Sequence, residues 1–221
     1  MERGAQEPGS IRGKVTRAAI VHVALEILAR EGLARLTMRR VAERLGIEAA
    51  SLYNHIRDKR DLLQGAAGQV LSAIPIPDES LPWADRMRRV VTGLYDALTA
   101  HPWLVTALAH EQVEPADPGT LGRVEAAMRV LGDAGLTPHQ QVSAFRGMVA
   151  LCLGLTLAHT MGLSMSPAEA QARFSDWDPG KWRIPEAPVL SSLAPAFLET
   201  KARDDLDFMV EAFVAALQKL G

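Results

Sequence analysis

The chain of 221 residues is 48% hydrophobic and carries a formal net charge of −2 at pH 7. Its single cysteine, Cys152, excludes an intrachain disulfide, fits a reducing cytoplasm, and is predicted to be buried and unreactive in its apolar surroundings. Residues 1–17 lack the apolar core of a secretory signal, and no apolar run reaches the roughly 18 to 20 residues that span a bilayer. Because aromatic residues are few while alanine and leucine dominate, we expect a soluble, all-α protein with one large or two modest cores.

The charge is distributed unevenly along the chain. Residues 1–73 contain 12 basic and 8 acidic side chains, whereas residues 74–221 contain 12 basic and 18 acidic ones. A basic N-terminal third suits a phosphate-binding surface, and an acidic remainder would face away from nucleic acid.

Residues 1–11 have no periodicity and are predicted to form a flexible arm. The arm either reaches phosphates or a minor groove, or is a solvated tail. A first helix is expected over residues 12–31, and Gly32 ends it. Its core-facing stripe is predicted at Ala18, Val21, Leu25 and Leu28. We expect this stripe to hold the next two helices in place.

A glycine-containing turn joins two short predicted helices within residues 37–56. Thr37 can cap the first helix through its hydroxyl, and Gly46 stands where a left-handed glycine usually ends a helix. The second helix is predicted to carry residues 51–55, with Leu52 and Ile56 pointing inward. Two short helices joined in this way indicate a helix-turn-helix, in which the second helix enters the DNA major groove.

The run LTMRRVAERLGIEAASLYNHIRDKRDLL resembles the DNA-binding domain of TetR-family transcriptional repressors. The elements that carry the resemblance are Thr37, the Ala42…Leu45-Gly46-Ile47 turn, Leu52-Tyr53-x-His55 and Lys59…Leu62-Leu63. The resemblance implies an N-terminal three-helix DNA-binding domain. It also implies contacts to the DNA backbone from Thr37, Tyr53, His55 and Lys59.

The residue types of this segment suit two kinds of DNA contact. Arg39 or Arg40 can give a guanidinium to a phosphate. Base reading is expected from Glu48, Ala49, Ala50, Ser51 and Asn54. Tyr53 and His55 could instead pack between helices, and Glu48 could be only a favourable charge in the first helical turn.

A fourth helix is expected from Arg57 or Asp58 to Ala73, where it would bridge two domains and couple a ligand pocket to the DNA surface. The segment IPIPDESLP that follows is typical of a linker. We therefore expect a helix-turn-helix domain over residues 12–73 and a ligand-binding and dimerisation domain over residues 78–221. Further helices are predicted over residues 83–99, 102–110, 121–134, 138–161 and 202–220.

Two of these helices are candidates for a dimer interface. The 138–161 helix is apolar on every face and is predicted to be buried all round. The 202–220 helix has an apolar stripe at Leu206, Met209, Val210, Phe213, Val214, Leu217 and Leu220. Because two half-sites require a dimer, both helices are expected to form a four-helix interface with a second copy; alternatively, both belong to the monomer core. Between them, the Pro-rich residues 164–198 are weakly periodic, and some disorder is expected there.

The Leu131…Gly135-Leu136-Thr137 turn and the apolar helix after it are similar to the tetracycline-repressor-like branch of the family. The C-terminal domain of that branch binds a magnesium–tetracycline complex. This chain departs from the branch in two places: Ile74-Pro75 stands where the branch has a drug-binding histidine, and Ala158-His159 stands where it has an acidic metal-site partner. His110 matches a metal-contacting histidine only across a two-residue gap. No metal or cofactor is therefore predicted.

We expect instead a largely apolar ligand. Its apolar contacts are predicted at Leu104, Leu108, Met128, Met148, Leu151 and Leu155. His110 or Thr156 would supply a polar contact. The alternative for each of these positions is that the side chain is part of the ordinary core.

These features predict a two-domain, homodimeric, cytoplasmic transcriptional repressor that a small-molecule inducer releases from a palindromic operator. The alternatives are a ligand-independent or activating regulator, an architectural DNA-binding protein, and a helical enzyme. The enzyme alternative has little support, because the sequence has no glycine-rich phosphate loop and no G-x-S-x-G or H-E-x-x-H motif.

Overall fold

The computed structural model describes residues 15–110, 113–114, 116–161 and 188–221. All regular elements within these residues are helical, as expected for an all-α protein. The helices in chain order are α1 (Arg17–Arg30), α2 (Met38–Leu45), α3 (Ala49–Leu52), α4 (Lys59–Ser72), α5 (Trp83–Ala100), α6 (Trp103–His110), α7 (Pro118–Asp133), α8 (Pro138–Met161), α9 (Pro188–Glu199) and α10 (Ala202–Gln218), with a 3₁₀ turn at Leu33–Arg35.

The chain divides into two compact units, of which one ends at Ala66 and the other begins at Ala67. From the sequence we expected the division after residue 73, in the proline-containing segment. The second half of α4 belongs with the C-terminal unit because Gly68 lies directly against the carboxylate of Asp117, with no room for a side chain. α4 is nevertheless one continuous helix, so its first half lies in the N-terminal unit.

α1 begins at Arg17 because Thr16 caps it, with the Thr16 hydroxyl accepting from the amide of Ala19 at 3.2 Å. The predicted start at residue 12 lies outside the described residues. The buried face is Ile20, Val21, Ala24, Ile27 and Leu28. It is rotated from the predicted stripe, so that Ala18 is exposed and Leu25 is half-buried.

α5 lies at the centre of the C-terminal unit, where it packs against α7, α8 and α10. Its buried apolar residues are Met87, Val91, Tyr95 and Leu98. Two ion pairs join its first half to neighbouring helices: Arg86 to Asp133 at 2.7 Å on α7, and Arg88 to Glu211 at 2.6 Å on α10.

Within one chain α8 is only partly buried, so the expected burial all round stays a prediction about the dimer. Its fully buried residues are Met148, Cys152 and Thr156, spaced by four along one face. The opposite face is exposed and mostly small: Ser143, Gly147, Ala150, Gly154 and Leu157. The expectation that no apolar run is long enough to span a bilayer is wrong by length and composition. In the described part of the chain, one helix, Pro138–Thr160, is long and apolar enough to cross a membrane. Of its most apolar stretch, 17% is buried within the chain.

The C-terminal stretch follows the prediction in part. Residues 162–187, most of the expected Pro-rich segment, lie outside the described residues, whereas residues 188–199 form α9. On α10 the buried residues are Leu206, Val210, Val214 and Leu217. The flanking members of the predicted stripe are more open: Met209 is 36% exposed and Leu220 is 56% exposed.

Candidate nucleic-acid interface and ligand cavity

The turn between α2 and α3 has the predicted geometry. The Thr37 hydroxyl accepts a hydrogen bond from the amide of Arg40 at 3.1 Å and so begins α2. Gly46 ends the helix at φ 66°, a left-handed conformation that favours glycine. The Ile47 amide then donates to the carbonyl of Ala42 at 3.1 Å, which fixes the direction in which the chain leaves.

The second helix of the motif is shorter than predicted. α3 ends at Leu52, and Tyr53, Asn54 and His55 lie in a turn after it. The amides of His55 and Ile56 both donate to the carbonyl of Leu52 at 2.9 Å. Leu52 and Ile56 are both buried, as predicted, and this anchoring turns the chain inward and leaves the residues between them on the surface.

Most of the predicted DNA-contacting residues share one property, which is exposure. Tyr53 is 56% exposed, which is unusual for a tyrosine that only packs between helices. Ser51, Lys59 and Arg40 are half-buried. The exposed members of the predicted set are Thr37, Arg39, Glu48, Ala49, Ala50, Tyr53, Asn54 and His55.

The arginines of α2 differ in how far they are engaged by the protein itself. The Arg39 side chain is 86% exposed, and its partner is Glu43, one turn away at 3.0 Å. Arg40 and Arg44 both pair with Glu31, at 3.2 Å and 2.6 Å. Partial desolvation raises the pKa of Glu31, but the hydrogen bond from Arg44 and the charge of Arg40 outweigh it, so the net shift is downward. Arg39 is therefore the better placed of the two predicted phosphate ligands.

An ion pair that the sequence analysis did not identify holds the recognition segment. Arg17 on α1 donates to both carboxylate oxygens of Asp61 on α4, at 2.7 Å and 3.0 Å. The same guanidinium donates to the carbonyl of His55 at 3.2 Å, and the amide of Arg57 donates to Asp61 at 2.9 Å. The hydrogen bond from Arg17 lowers the pKa of Asp61 to about 2. We call this cluster the Arg17–Asp61 latch.

The C-terminal unit contains a cavity of about 280 Å³, close to the smallest volumes that hold drug-sized ligands. Its described lining comes from the end of α4 and the segment after it, and from α5, α6, α7 and α8. The lining residues are Leu71, Ile74, Pro75, Ile76, Pro77, Val90, Leu94, Leu98, Leu108, Thr120, Arg123, Val124, Ala126, Ala127, Phe145, Met148, Val149 and Leu153.

The cavity brings together only two of the predicted ligand contacts, Leu108 and Met148. Leu104 is fully buried in the core, and Thr156 is buried with its hydroxyl lacking a partner in the described structure. The side chain of His110 lies outside the described residues. The half-buried Leu151 and Leu155 are not in the lining, because α8 presents Phe145, Val149 and Leu153 to the cavity instead. The half-buried Met128 is also outside the lining, to which α7 contributes Val124, Ala126 and Ala127.

Two polar side chains in the lining were not predicted. The Thr120 hydroxyl donates to the carboxylate of Asp117 at 2.6 Å. Arg123 donates from Nε to the carbonyl of Ile74 at 2.9 Å and from Nη1 to the carbonyl of Gly119 at 3.1 Å. Within the described ranges, no three side chains of histidine, cysteine, aspartate or glutamate stand close enough together to hold a metal ion.

Comparison with known proteins gives matches along both units. The family model described as bacterial regulatory proteins, tetR family, matches residues 20–66, and the model for a tetracyclin repressor-like C-terminal domain matches residues 76–209.

Individual relatives agree with these models. An HTH-type transcriptional regulator of Saccharopolyspora erythraea is 37% identical over 123 residues, which are 55% of this chain and about half (51%) of that relative. The class C tetracycline repressor protein of Escherichia coli is 30% identical over 166 residues, which cover 74% of this chain and 73% of the repressor. The structure of the Streptomyces coelicolor TetR family protein ActR in complex with actinorhodin has a TM-score of 0.80 at 26% identity, and the match covers 94% of this chain and 98% of ActR.

Proposed function

Because the chain belongs to the tetR family of bacterial regulatory proteins, we propose that it is a homodimeric repressor that a small molecule releases from a palindromic operator. The chain is a transcriptional regulator with a helix-turn-helix domain and a helical C-terminal domain, and its relatives are regulators rather than enzymes. Release by an inducer, the dimer contacts and action in the cytoplasm are the parts that we propose.

The exposed residues around α3 support the DNA contacts. Glu48 and Ala50 at the start of α3, with Ser51 and Asn54, would read base edges. The phosphate contacts would come from Thr37, Arg39, Arg40, Tyr53, His55 and Lys59. Tyr53 can bring a hydroxyl to a phosphate without uncovering the core, since Leu52 and Ile56 anchor the chain on either side of it.

The open apolar face of α8 supports dimerisation. A Cβ atom at Gly147 or at Gly154 would meet nothing within 4 Å in one chain, so the face has room for another helix to approach closely. On α10, Phe208 is 72% exposed. Large apolar surface of this kind is normally covered in a soluble protein, and α8 and α10 of a second copy would cover it as a four-helix interface.

The observation that carries the inducer proposal is the position of the apolar cavity at the end of α4. Leu71 and Ile74 line the cavity, and the first half of the same helix belongs to the DNA-binding unit. A ligand that binds the DNA-incompetent conformation of the dimer more tightly would shift the population away from the DNA-competent conformation. The size of this shift is set by the difference between the ligand's affinities for the two conformations. The structural relative ActR was solved in complex with actinorhodin, which supports a small-molecule ligand for this chain as well.

DNA binding is tested by titrating the protein onto a labelled fragment from upstream of its own reading frame, with unrelated competitor DNA present. We expect competitor-resistant binding whose log affinity falls linearly with log salt. Tyr53→Phe should weaken binding to operator and competitor alike by about tenfold, because a phosphate contact carries no sequence information. The control is Tyr95→Phe, at the 5% exposed tyrosine of α5, which should leave affinity unchanged.

Two results would contradict parts of this proposal. Binding no tighter than to competitor, with no effect of Tyr53→Phe, would contradict the assigned DNA surface. A broad panel of small molecules in which none releases a bound operator would contradict the inducer mechanism and leave the DNA-binding part intact.

A further inference from the structure

We propose that Arg123 makes the cavity selective for an apolar molecule that carries one anionic group, such as a carboxylate. This inference rests on the cavity's proposed role as the inducer site and adds the chemical class of the inducer. The evidence for it is the apolar surroundings of Arg123 and the hydrogen bonds that its guanidinium makes.

The cavity wall is apolar except at two residues, Thr120 and Arg123. Its described lining contains no aspartate or glutamate. A guanidinium stays charged at any physiological pH, and a charge beside an apolar wall is stabilised only by groups that can compensate it. An anion in the cavity would therefore gain more from Arg123 than it would from the same cation in water.

The hydrogen bonds of Arg123 leave part of its guanidinium available. Both acceptors are neutral backbone carbonyls, those of Ile74 and Gly119, and they engage Nε and Nη1. Nη2 donates to no described residue, and no described carboxylate lies within ion-pair distance. A carboxylate could accept from Nη2 and from the second hydrogen of Nη1 without displacing either carbonyl.

Several other arginines of the C-terminal unit already have a carboxylate partner. Arg86 pairs with Asp133 at 2.7 Å, and Arg129, six residues beyond Arg123 on α7, pairs with Glu79 at 2.7 Å. The other polar group of the lining is also engaged, because the Thr120 hydroxyl donates to Asp117. Arg123 is thus the polar group in the described lining with unused donors.

Arg123 also links a bound anion to the end of α4, because its guanidinium donates a hydrogen bond to the backbone there. The carbonyl of Ile74, which accepts from Nε, lies two residues after the last residue of α4. An anion bound to the free edge of the guanidinium would act on the same side chain that holds this carbonyl.

The test uses two fluorescent probes that differ by one anionic group. 1-Anilinonaphthalene-8-sulfonate carries a sulfonate, and N-phenyl-1-naphthylamine has the same rings without it. Each is titrated onto the wild-type protein, Arg123→Met, Arg123→Lys and the matched control Arg129→Met. Ala126→Trp, which places a large side chain in the cavity wall, identifies binding inside the cavity.

We expect Arg123→Met to weaken sulfonate-probe binding by about tenfold or more and to change neutral-probe binding less than threefold. Arg123→Lys should recover part of the loss, Arg129→Met should bind like wild type, and Ala126→Trp should weaken both probes. Retained neutral-probe binding verifies that the Arg123→Met cavity is intact.

Equal losses of both probes in Arg123→Met, with no recovery in Arg123→Lys, would overturn the charge selectivity. So would sulfonate binding that Arg123→Met leaves unchanged, or that Ala126→Trp leaves unchanged. If the neutral probe binds in the cavity while the sulfonate probe does not, the anion proposal fails and the cavity remains a ligand site. If neither probe binds, the proposed inducer site fails with it.

Discussion

The Arg17–Asp61 latch gives a quantitative prediction about the DNA-binding unit. Replacing Asp61 by asparagine keeps the shape of the side chain but removes the charge that faces Arg17. The pKa of Asp61 falls from 3.8 to about 2 in the folded protein, which corresponds to roughly 2 kcal/mol of interaction. The Arg17 side chain is 47% exposed, so water screens part of it, and we expect Asp61→Asn to destabilise the unit by about 1–2 kcal/mol.

The pH dependence follows from the direction of the shift. Because the folded pKa lies below the unfolded one, the ionised Asp61 stabilises the fold above about pH 4, and this contribution is lost as the pH falls through about 2. The stability difference between wild type and Asp61→Asn should therefore be constant above about pH 5 and close to half as large at pH 3.

Amide hydrogen exchange measures the effect within this unit, at the Arg57 amide that donates to Asp61. We expect exchange about 5- to 30-fold faster in Asp61→Asn, the factor that corresponds to 1–2 kcal/mol. The control is Glu43→Gln, which removes exposed ion pairs with Arg39 and Arg40 and should change stability by about 0.5 kcal/mol or less. If Arg57 exchanges within twofold of wild type in Asp61→Asn, the latch does not stabilise this segment.

Three further predictions concern single positions. Gly46→Ala should lower the free energy of unfolding in urea by about 1 kcal/mol, because φ at Gly46 is 66° and an added Cβ would meet no neighbouring atom that adds a steric effect. Gly122→Ala inside α7 should raise the free energy of unfolding by about 0.5–1 kcal/mol. A change of the same sign in both variants would contradict the conformational argument. Burial raises the pKa of the Cys152 thiol to about 12, so a thiol reagent at pH 8 should label it only after denaturation, and rapid native labelling would disagree. Gly154→Glu should give a folded monomer by light scattering, while Leu121→Glu, at another exposed position, should remain dimeric; a dimeric Gly154→Glu would move the interface away from α8.

The helix-turn-helix was predictable from sequence because its signals are local. The Thr37 hydroxyl caps an amide three residues away, and Gly46 ends the same helix in a left-handed conformation that only the adjacent residues determine. The latch was not predictable in the same way, since Arg17 and Asp61 are 44 residues apart and each is an ordinary residue for the start of a helix. Local interactions therefore determine the helix-turn-helix, whereas tertiary packing determines the Arg17–Asp61 latch that stabilises it.

For α8 the sequence predicted a covered helix but left two alternatives, a second copy and the monomer core, because hydrophobicity does not identify what covers a surface. A helix that is apolar on every face looks the same in sequence whether its own chain or a second copy covers it. The small side chains at Gly147, Ala150 and Gly154 were the available signal, since residues of this size allow close approach of another helix.

Most of the cavity lining was missed for a related reason. A uniformly apolar helix has no periodicity that sets its rotation, so the α8 positions that face the cavity depend on how α5 and α7 pack against it. On α7, Leu121 is 51% exposed while the small Ala127 is buried at 2% exposure, so the size of a side chain does not indicate which face of the helix is buried. Space for a ligand arises where buried side chains are small, and a lone arginine beside such positions is a stronger sign of a ligand site than any apolar residue that fills the core.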